Sequence, residues 1–96
     1  MAEQAKRVAD YLSRDKTSPS YWKQDGIWYL HLPDHREDSD FDGLTANLAR
    51  HQIVEHDDGT ISVTPSILVS QELFKGAQYT KIESHGYLTR GVWTEC

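Results

Sequence analysis

The sequence predicts an α+β fold that is mainly β, with an N-terminal helix packed on a curled antiparallel sheet of about five or six short strands built from hairpins. Three dipeptides that suit two-residue turns, at residues 25–26, 58–59 and 90–91, stand between runs of alternating apolar and polar residues. The apolar residues of 3–14 instead recur at helical spacing. Parallel strands need long crossovers, so the strands are expected to be antiparallel.

The chain of 96 residues is interpreted as one domain, with a helix and linker over residues 1–20 and a β-rich core over residues 21–96. A chain of this length buries about two-thirds of the surface that its unfolded form exposes, which allows one modest core. No apolar run approaches the ~18 residues that cross a bilayer, and the first residues do not resemble a secretion signal. We therefore expect a cytoplasmic protein that does not enter a membrane.

The N-terminal helix is predicted over residues 3–14. Its apolar side chains recur at spacings of three and four and would form one stripe, made of Ala5, Val8, Ala9 and Leu12. Pro19 closes the polar linker that follows, because proline cannot continue a helix. The apolar stripe would then be the contact between the helix and the sheet.

The first hairpin is predicted over residues 21–32, with the Asp-Gly pair at 25–26 as its turn. This register sets Trp22 opposite Tyr29 on one face of the hairpin. Trp28 lies on the other face, so both faces carry aromatic rings. Such a hairpin is either covered on both sides or presents one face to a partner.

The second hairpin is predicted around the Asp-Gly pair at residues 58–59. As the two central residues of a type I′ turn, this pair sets Val54 opposite Val63. His56 then lies opposite Ile61, and all four side chains share one face of the ribbon. That face is expected to contact the core.

Three further elements complete the predicted fold. A helical turn anchored by two leucines is expected over residues 44–49. Pro65 ends the second hairpin, because proline has no amide hydrogen for the ladder, and a short apolar strand follows at residues 67–69. The last hairpin turns at residues 90–91.

The charge and cysteine content restrict the classes of partner. A net charge of −5 disfavours binding to nucleic acid or to an anionic membrane, and it favours a protein partner. A homodimer through an exposed strand edge is the alternative. The only cysteine, Cys96, excludes an internal disulfide and is interpreted as an inert terminal thiol, with an intermolecular disulfide or metal ligation as the alternatives.

An aromatic and acidic patch is the first candidate site, and it would bind a protein partner. The rings of the first hairpin precede an acidic loop at residues 34–42, and aromatic anchors ringed by charge are common in binding hot spots. The candidate residues are Trp22, Trp28, Tyr29, Asp34, Glu37, Asp38, Asp40 and Asp42. The alternative interpretation is that the rings fill the core of a small domain.

A zinc site is the second candidate, formed by His31, His35 and His85. Zinc needs three or four such side chains around one point, and the chain has neither the CxxC nor the HExxH spacing that would indicate this strongly. The alternative is that these histidines are polar residues at strand edges. No cofactor other than zinc or calcium is expected.

A calcium site is the third candidate, in the acidic loop. Asp38, Asp40 and Asp42, followed by glycine, match the opening half of a calcium-binding loop. Ala49 stands at the twelfth position, where such a loop has a bidentate glutamate. The alternative is a solvated acidic loop that serves as a contact surface.

Enzymatic activity is not expected. The chain has no Gly-x-Ser-x-Gly elbow around Ser66 and no glycine-rich loop that would hold a phosphate. Paired carboxylates occur only in the acidic loop, where burial cannot easily raise one pKa for general acid catalysis. The sequence therefore favours a small, acidic, non-catalytic interaction protein, with a metal-binding β domain as the alternative.

Three motifs follow one another along the chain, namely WYLHLP at residues 28–33, GTISVTPSILV at 59–69 and SHGYLTRGVW at 84–93. Their order resembles a family of uncharacterised small domains from phages and bacteria. Those domains have a Trp-containing strand, a Thr-Pro-Ser-aliphatic strand and a His-led final hairpin that ends in Gly-x-Trp. The resemblance covers residues 27–94 and implies a compact β fold and a phage-type accessory or inhibitor protein that acts in the host cytoplasm.

Overall fold

A computed structural model describes residues 2–34 and 41–96 of the chain, and these residues form two β-sheets. They contain no helix of 7 or more residues, so the predicted α+β class is wrong, whereas the antiparallel pairing is confirmed. No helix in these ranges could span a membrane. The strands are β1 (Ala2–Gln4), β2 (Lys6–Arg7), β3 (Ser20–Gln24), β4 (Ile27–Pro33), β5 (Gly43–Asn47), β6 (Gln52–Glu55), β7 (Ile61–Lys75), β8 (Gln78–Thr89) and β9 (Val92–Glu95).

The two sheets enclose one hydrophobic core. One sheet has five strands in the order β1-β9-β8-β7-β6, and the other has four in the order β2-β3-β4-β5. The buried side chains of the core are Ala5, Tyr21, Trp28, Leu30, Leu32, Leu44, Ala46, Leu48, Ile61, Val63, Ile67, Leu88 and Trp93. Because each strand alternates its side chains between two faces, each sheet also has an outer face that points away from this core.

The N-terminal residues form short strands where the sequence predicts a helix. β1 pairs with β9 in one sheet, β2 pairs in parallel with β3 in the other, and Ala5 is buried between them. The only helical residues here are the 3-10 turn Tyr11–Ser13, and Leu12 of the predicted stripe is 86% exposed. An isolated helix of this length is marginal in water, and the backbone groups at two sheet edges provide a better alternative.

The first and last hairpins have the predicted registers. Both central residues of each turn have positive φ, at 54° and 82° for residues 25–26 and at 46° and 76° for residues 90–91. These are the values that a type I′ turn requires. The opposed residues include the pairs Trp22–Tyr29, Lys23–Trp28 and Leu88–Trp93.

The second hairpin is paired one residue away from the predicted register. Ile53, and not Val54, lies opposite Val63. A shift of one residue exchanges the two faces of a strand. Ile53 therefore packs against the core, and Val54 is exposed on the outer face.

The turn of the second hairpin explains this shift, because it has three residues, 57–59, where two were predicted. The amide of Gly59 donates to the carbonyl of His56 at 3.0 Å, and the amide of His56 donates to the carbonyl of Thr60 at 2.8 Å. Asp58 Oδ1 accepts hydrogen bonds from the amide and hydroxyl of Thr60 at 3.0 and 2.6 Å. Only Gly59 of these turn residues has positive φ, which is typical of a type I turn closed by a bulge.

The helical turn predicted over residues 44–49 is also wrong, since β5 occupies most of it. Leu44 lies opposite Leu32 of β4, and the amide of Leu48 donates to the carbonyl of Trp28 at 2.9 Å. Leu44 and Leu48 are both buried. Residues four apart share a face in a helix and in a strand alike, so their spacing did not distinguish the two structures.

Pro65 interrupts the ladder but does not end the strand. The pairing with β6 stops at Thr64, and the register between β7 and β8 shifts between Val63 and Ile67, around a cis Thr64-Pro65 peptide bond. β7 then continues to Lys75, far beyond the short strand that was predicted.

Residues 69–84, which we call the arm, pair with each other as a two-stranded ribbon. The molecule measures 48 × 28 × 25 Å.

We expect Gly86→Ala to lower the free energy of unfolding by about 1–3 kcal/mol, the usual cost of overpacking a core. A Cβ atom at Gly86 would lie 2.9 Å from the indole ring of Trp93 and would meet the carbonyl oxygen of Thr94. Ser84→Ala, two residues away on the same face of β8, is the matched control and should change stability little. Urea unfolding measures both variants, and equal stability of the two would contradict this packing.

Candidate interaction surface

The tryptophans of the predicted aromatic patch are enclosed. Trp22 lies on the outer face of the four-stranded sheet but is only 1% exposed, since it stacks on Tyr29 at 5.7 Å and meets the edge of Tyr11 at 5.9 Å. Trp28 is buried on the core face, with the guanidinium of Arg7 5.1 Å from its ring centroid. Trp28 therefore belongs to the core and Trp22 is covered on the outer face, so neither ring is available as a surface anchor.

Residues 9–18, which we call the strap, cross the outer face of the four-stranded sheet and cover Trp22. Arg14 Nε donates to Asp42 Oδ2 at 2.7 Å, and the amide of Asp15 donates to Ser20 Oγ at 3.3 Å. The hydrogen bond from Arg14 lowers the pKa of the Asp42 carboxyl group. A salt bridge of 2.8 Å joins Asp15 to Lys6. Ring contacts and charged hydrogen bonds together hold the strap on the sheet.

The acidic part of the predicted patch is only partly described. Asp42 is exposed but forms the ion pair with Arg14, and Asp34 lies partly buried just after β4, where its amide donates to the carbonyl of Asp42 at 3.3 Å. Tyr29 is half-buried. The remaining predicted residues, Glu37, Asp38 and Asp40, lie outside the described residues. Among the described residues, the enclosed Trp22 and Trp28 do not form an exposed patch with Asp34 and Asp42.

His31 is buried beneath the strap, with 1% of its side chain exposed. Its Nδ1 lies 2.9 Å from Thr45 Oγ1, and its Nε2 lies 3.5 Å from Asp42 Oδ2. Burial lowers the pKa of His31, and the nearby negative charge of Asp42 opposes this effect. Burial of the ring therefore favours its neutral form.

The contacts of His31 with Thr45 and Asp42, and of Asp42 with Arg14, suit this buried ring to holding the strap on the sheet. A general base must reach the proton that it removes, and the ring of His31 is covered by protein.

A separate cleft of about 40 Å³ is lined by Glu3, Pro19, Leu32, Pro33, Trp93 and Glu95. Ligand pockets usually measure about 300–1,000 Å³. The cleft has room for roughly one water molecule.

Two histidines of the predicted zinc site, His31 and His85, do not come together. His31 is on the outer face of the four-stranded sheet and His85 is on the outer face of the other sheet, so the core lies between them. His85 Nε2 is 2.9 Å from Ser66 Oγ instead. His35 and most of the predicted calcium loop lie outside the described residues. Within residues 2–34 and 41–96, no group of three potential metal ligands is found.

The arm carries the exposed aromatic residues that the sequence reasoning missed. Phe74 and Tyr79 lie opposite each other next to its turn, with ring centroids 5.3 Å apart, and they are 71% and 53% exposed. The hydroxyl of Tyr79 donates to Glu72 Oε1 at 3.0 Å. Leu68 and Tyr87 are exposed on the same face, at the base of the arm. The signal in the sequence is Gly76, which has an aromatic residue two or three positions away on each side.

The charge of the arm differs from that of the rest of the protein. Its two lysines and two glutamates give it no net charge, so the whole net charge of −5 lies on the remaining residues. Opposite charges lie across the ribbon from each other, as where Glu72 faces Lys81. The arm is thus a neutral, aromatic projection from an acidic body.

Comparison of this chain with protein-family models, with curated proteins and with solved structures found no match. The resemblance to small phage and bacterial domains therefore stays a prediction. Function is inferred from the geometry and charge of this chain alone, and the arm carries two exposed aromatic rings that contact each other.

We expect the free energy of unfolding to fall as the pH is lowered from about 7.5 to about 5.5. An unfolded histidine takes up a proton near pH 6.5, whereas burial lowers the pKa of His31 in the folded protein, so protonation favours the unfolded chain. His31→Asn should make the pH dependence smaller. His85→Asn, at an exposed position, should not. Urea unfolding at both pH values checks this, and an unchanged dependence in His31→Asn would contradict it.

Proposed function

We propose that this protein is a non-catalytic binding protein that docks on a partner protein through the tip of its arm. The observation that carries this proposal is the pair of exposed, contacting rings of Phe74 and Tyr79 at the end of a ribbon that extends past the sheets. Aromatic anchors of this kind dominate the binding energy of many interfaces. The motif resemblance adds the proposal that the role is that of a phage-type accessory or inhibitor protein.

The electrostatics favour a protein partner over nucleic acid. A ribbon that binds a phosphate backbone needs an excess of Lys and Arg, and the arm has none, while the acidic body repels phosphate. The alternating charges of Glu72, Lys81 and Glu83 suit the mixed polar rim of a protein interface. The expected partner surface is an apolar pocket for the two rings, flanked by basic residues that face the acidic body.

This proposal moves the binding site away from the sequence-predicted patch. Trp22 and Trp28 are enclosed, so changing either of them would affect folding together with any binding. Phe74 and Tyr79 are exposed, so they can be replaced with little loss of packing. The two possibilities can therefore be separated experimentally.

The test uses the double variant F74S/Y79S, with Leu12→Ser as the matched control, because Leu12 is an exposed apolar residue on the strap. A partner captured from the native host is purified, and its dissociation constant is measured by calorimetry with each form of the protein. We expect the double variant to weaken binding by at least about 100-fold, since each hot-spot ring contributes about 2 kcal/mol. The control should bind like the wild type.

Unfolding midpoints of the three proteins complete this experiment. The proposal requires F74S/Y79S to keep a wild-type midpoint while it loses affinity. A purified partner that binds the double variant as tightly as the wild type would overturn the arm as the binding site. The absence of any saturable protein partner in the native host would overturn the function itself.

A further inference from the structure

We propose that the strap occupies a docking site for a segment of a partner protein that carries an arginine beside an aromatic ring. The site lies on the outer face of the four-stranded sheet, so it is separate from the tip of the arm and goes beyond the docking proposed there. The inference rests on the contacts of Tyr11 and Arg14, on the weak attachment of the strap between its ends and on the charge of the protein.

The proposed site consists of a pair of rings and a carboxylate. Trp22 and Tyr29 lie opposite each other on β3 and β4, and their rings stack at 5.7 Å with an angle of 13° between their planes. Asp42 stands just before β5, which is the next strand of this sheet. An aromatic floor beside a carboxylate is suited to binding a ring together with a cation.

The strap supplies this ring and this cation from within the same chain. Tyr11 meets Trp22 edge to face at 5.9 Å, an arrangement that aromatic pairs prefer. Arg14 Nε donates to Asp42 Oδ2 at 2.7 Å, and its guanidinium lies 3.9 Å from the centroid of the Tyr11 ring. Arg14 Nη1 also donates to the carbonyl of Tyr11 at 2.8 Å, so the ring and the guanidinium form one unit. In these contacts the strap resembles a bound ligand.

Backbone groups hold the strap to the sheet only near its two ends. The amide of Val8 donates to the carbonyl of Tyr21 at 2.9 Å, and the amide of Asp15 donates to Ser20 Oγ at 3.3 Å. Over residues 9–14, the backbone hydrogen bonds between described residues join one part of the strap to another. The middle of the strap therefore depends on the side chains of Tyr11 and Arg14 for its contact with the face beneath it.

The strap itself has little to lose when it leaves the sheet. Residues 9–13 are all exposed, and Leu12 is 86% exposed, so most of their apolar surface is already in water. Displacement would cost mainly the contacts of Tyr11 and Arg14 and the cover over Trp22. A partner segment with an equivalent ring and arginine would restore both, which makes the exchange possible.

The charge of the protein determines which segment can replace the strap. A net charge of −5 attracts basic segments and repels acidic ones. Arginine suits the site better than lysine, because its planar guanidinium can bind a carboxylate and lie against a ring at the same time. Trp22, Tyr29 and Asp42 of the sequence-predicted patch would then bind this partner after the strap has moved aside.

The first test opens the site with the double variant Y11S/R14S. NMR measures how strongly a water-soluble gadolinium chelate broadens the indole signals of the three tryptophans. In the wild type all three should be protected, because each is at most 5% exposed. In Y11S/R14S the Trp22 signals should broaden, while those of Trp28 and Trp93 in the core stay sharp. L12S, at an exposed position of the same strap, is the matched control and should behave like the wild type.

The second test returns the ring and the arginine on a separate molecule. A synthetic peptide with the sequence of residues 8–18 is added to Y11S/R14S at up to about 5 mM, because a tethered segment has an effective concentration in the millimolar range. The peptide should restore the protection of Trp22, and the same peptide with serine at both positions should not. The wild type should bind the peptide at least about tenfold more weakly than Y11S/R14S, since its own strap competes for the site.

Three results would overturn the proposal. Trp22 could stay protected in Y11S/R14S, which would show that these side chains do not hold the strap. The peptide could fail to protect Trp22, or protect it no better than the serine peptide. Broadening of all three tryptophans in Y11S/R14S and also in R14S would show that the strap is needed for folding and cannot be displaced.

Discussion

Backbone groups of three segments that are distant in the sequence meet at Gly91, and this junction joins the two sheets. The amide of Ala5 donates to the carbonyl of Gly91 at 2.8 Å, and the amide of Gly91 donates to the carbonyl of Ile61 at 3.0 Å. A Cβ atom at Gly91 would lie 3.2 Å from the hydroxyl of Tyr21, so the four-stranded sheet also reaches this point. The residues around Ala5 can therefore pair with β9 on one side and with β3 on the other, which closes the core without any covalent cross-link.

The local features of the fold could be predicted from the sequence, and the long-range ones could not. The turn at residues 25–26 follows from one dipeptide, whose positive φ values fix the register of its hairpin. The turn at 57–59 differs because the Asp58 side chain accepts hydrogen bonds from Thr60 and stabilises a three-residue turn. The Asp-Gly dipeptide alone does not reveal which of the two turn types forms. The N-terminal strands depend on partners such as Gly91, far along the chain, and a helical spacing of alanines carries no information about them.

The same limit applies to the candidate site. Aromatic residues near an acidic loop suggested a surface patch. The side chains of β3 and β4 alternate between the core face and the outer face of the sheet, and the strap covers the outer face. Trp22 is thereby enclosed. The sequence did not reveal the arm because each face of this ribbon carries both polar and apolar side chains, so its strands lack the alternating pattern of a half-buried strand. Gly76 is the only clear mark of its turn in the sequence. The arm projects because β7 and β8 are longer than their neighbours β6 and β9 and extend beyond the ends of those strands.

Amide hydrogen exchange measured by NMR tests the junction at Gly91 most directly. The amides of Ala5 and Gly91 should exchange as slowly as those of the central strands β4 and β8, because both are hydrogen-bonded at the contact that joins the sheets. Their exchange should then require global unfolding. Rapid exchange of the Ala5 amide, at the rate of an unstructured peptide, would contradict the account, since the N-terminal residues would then not bridge the two sheets.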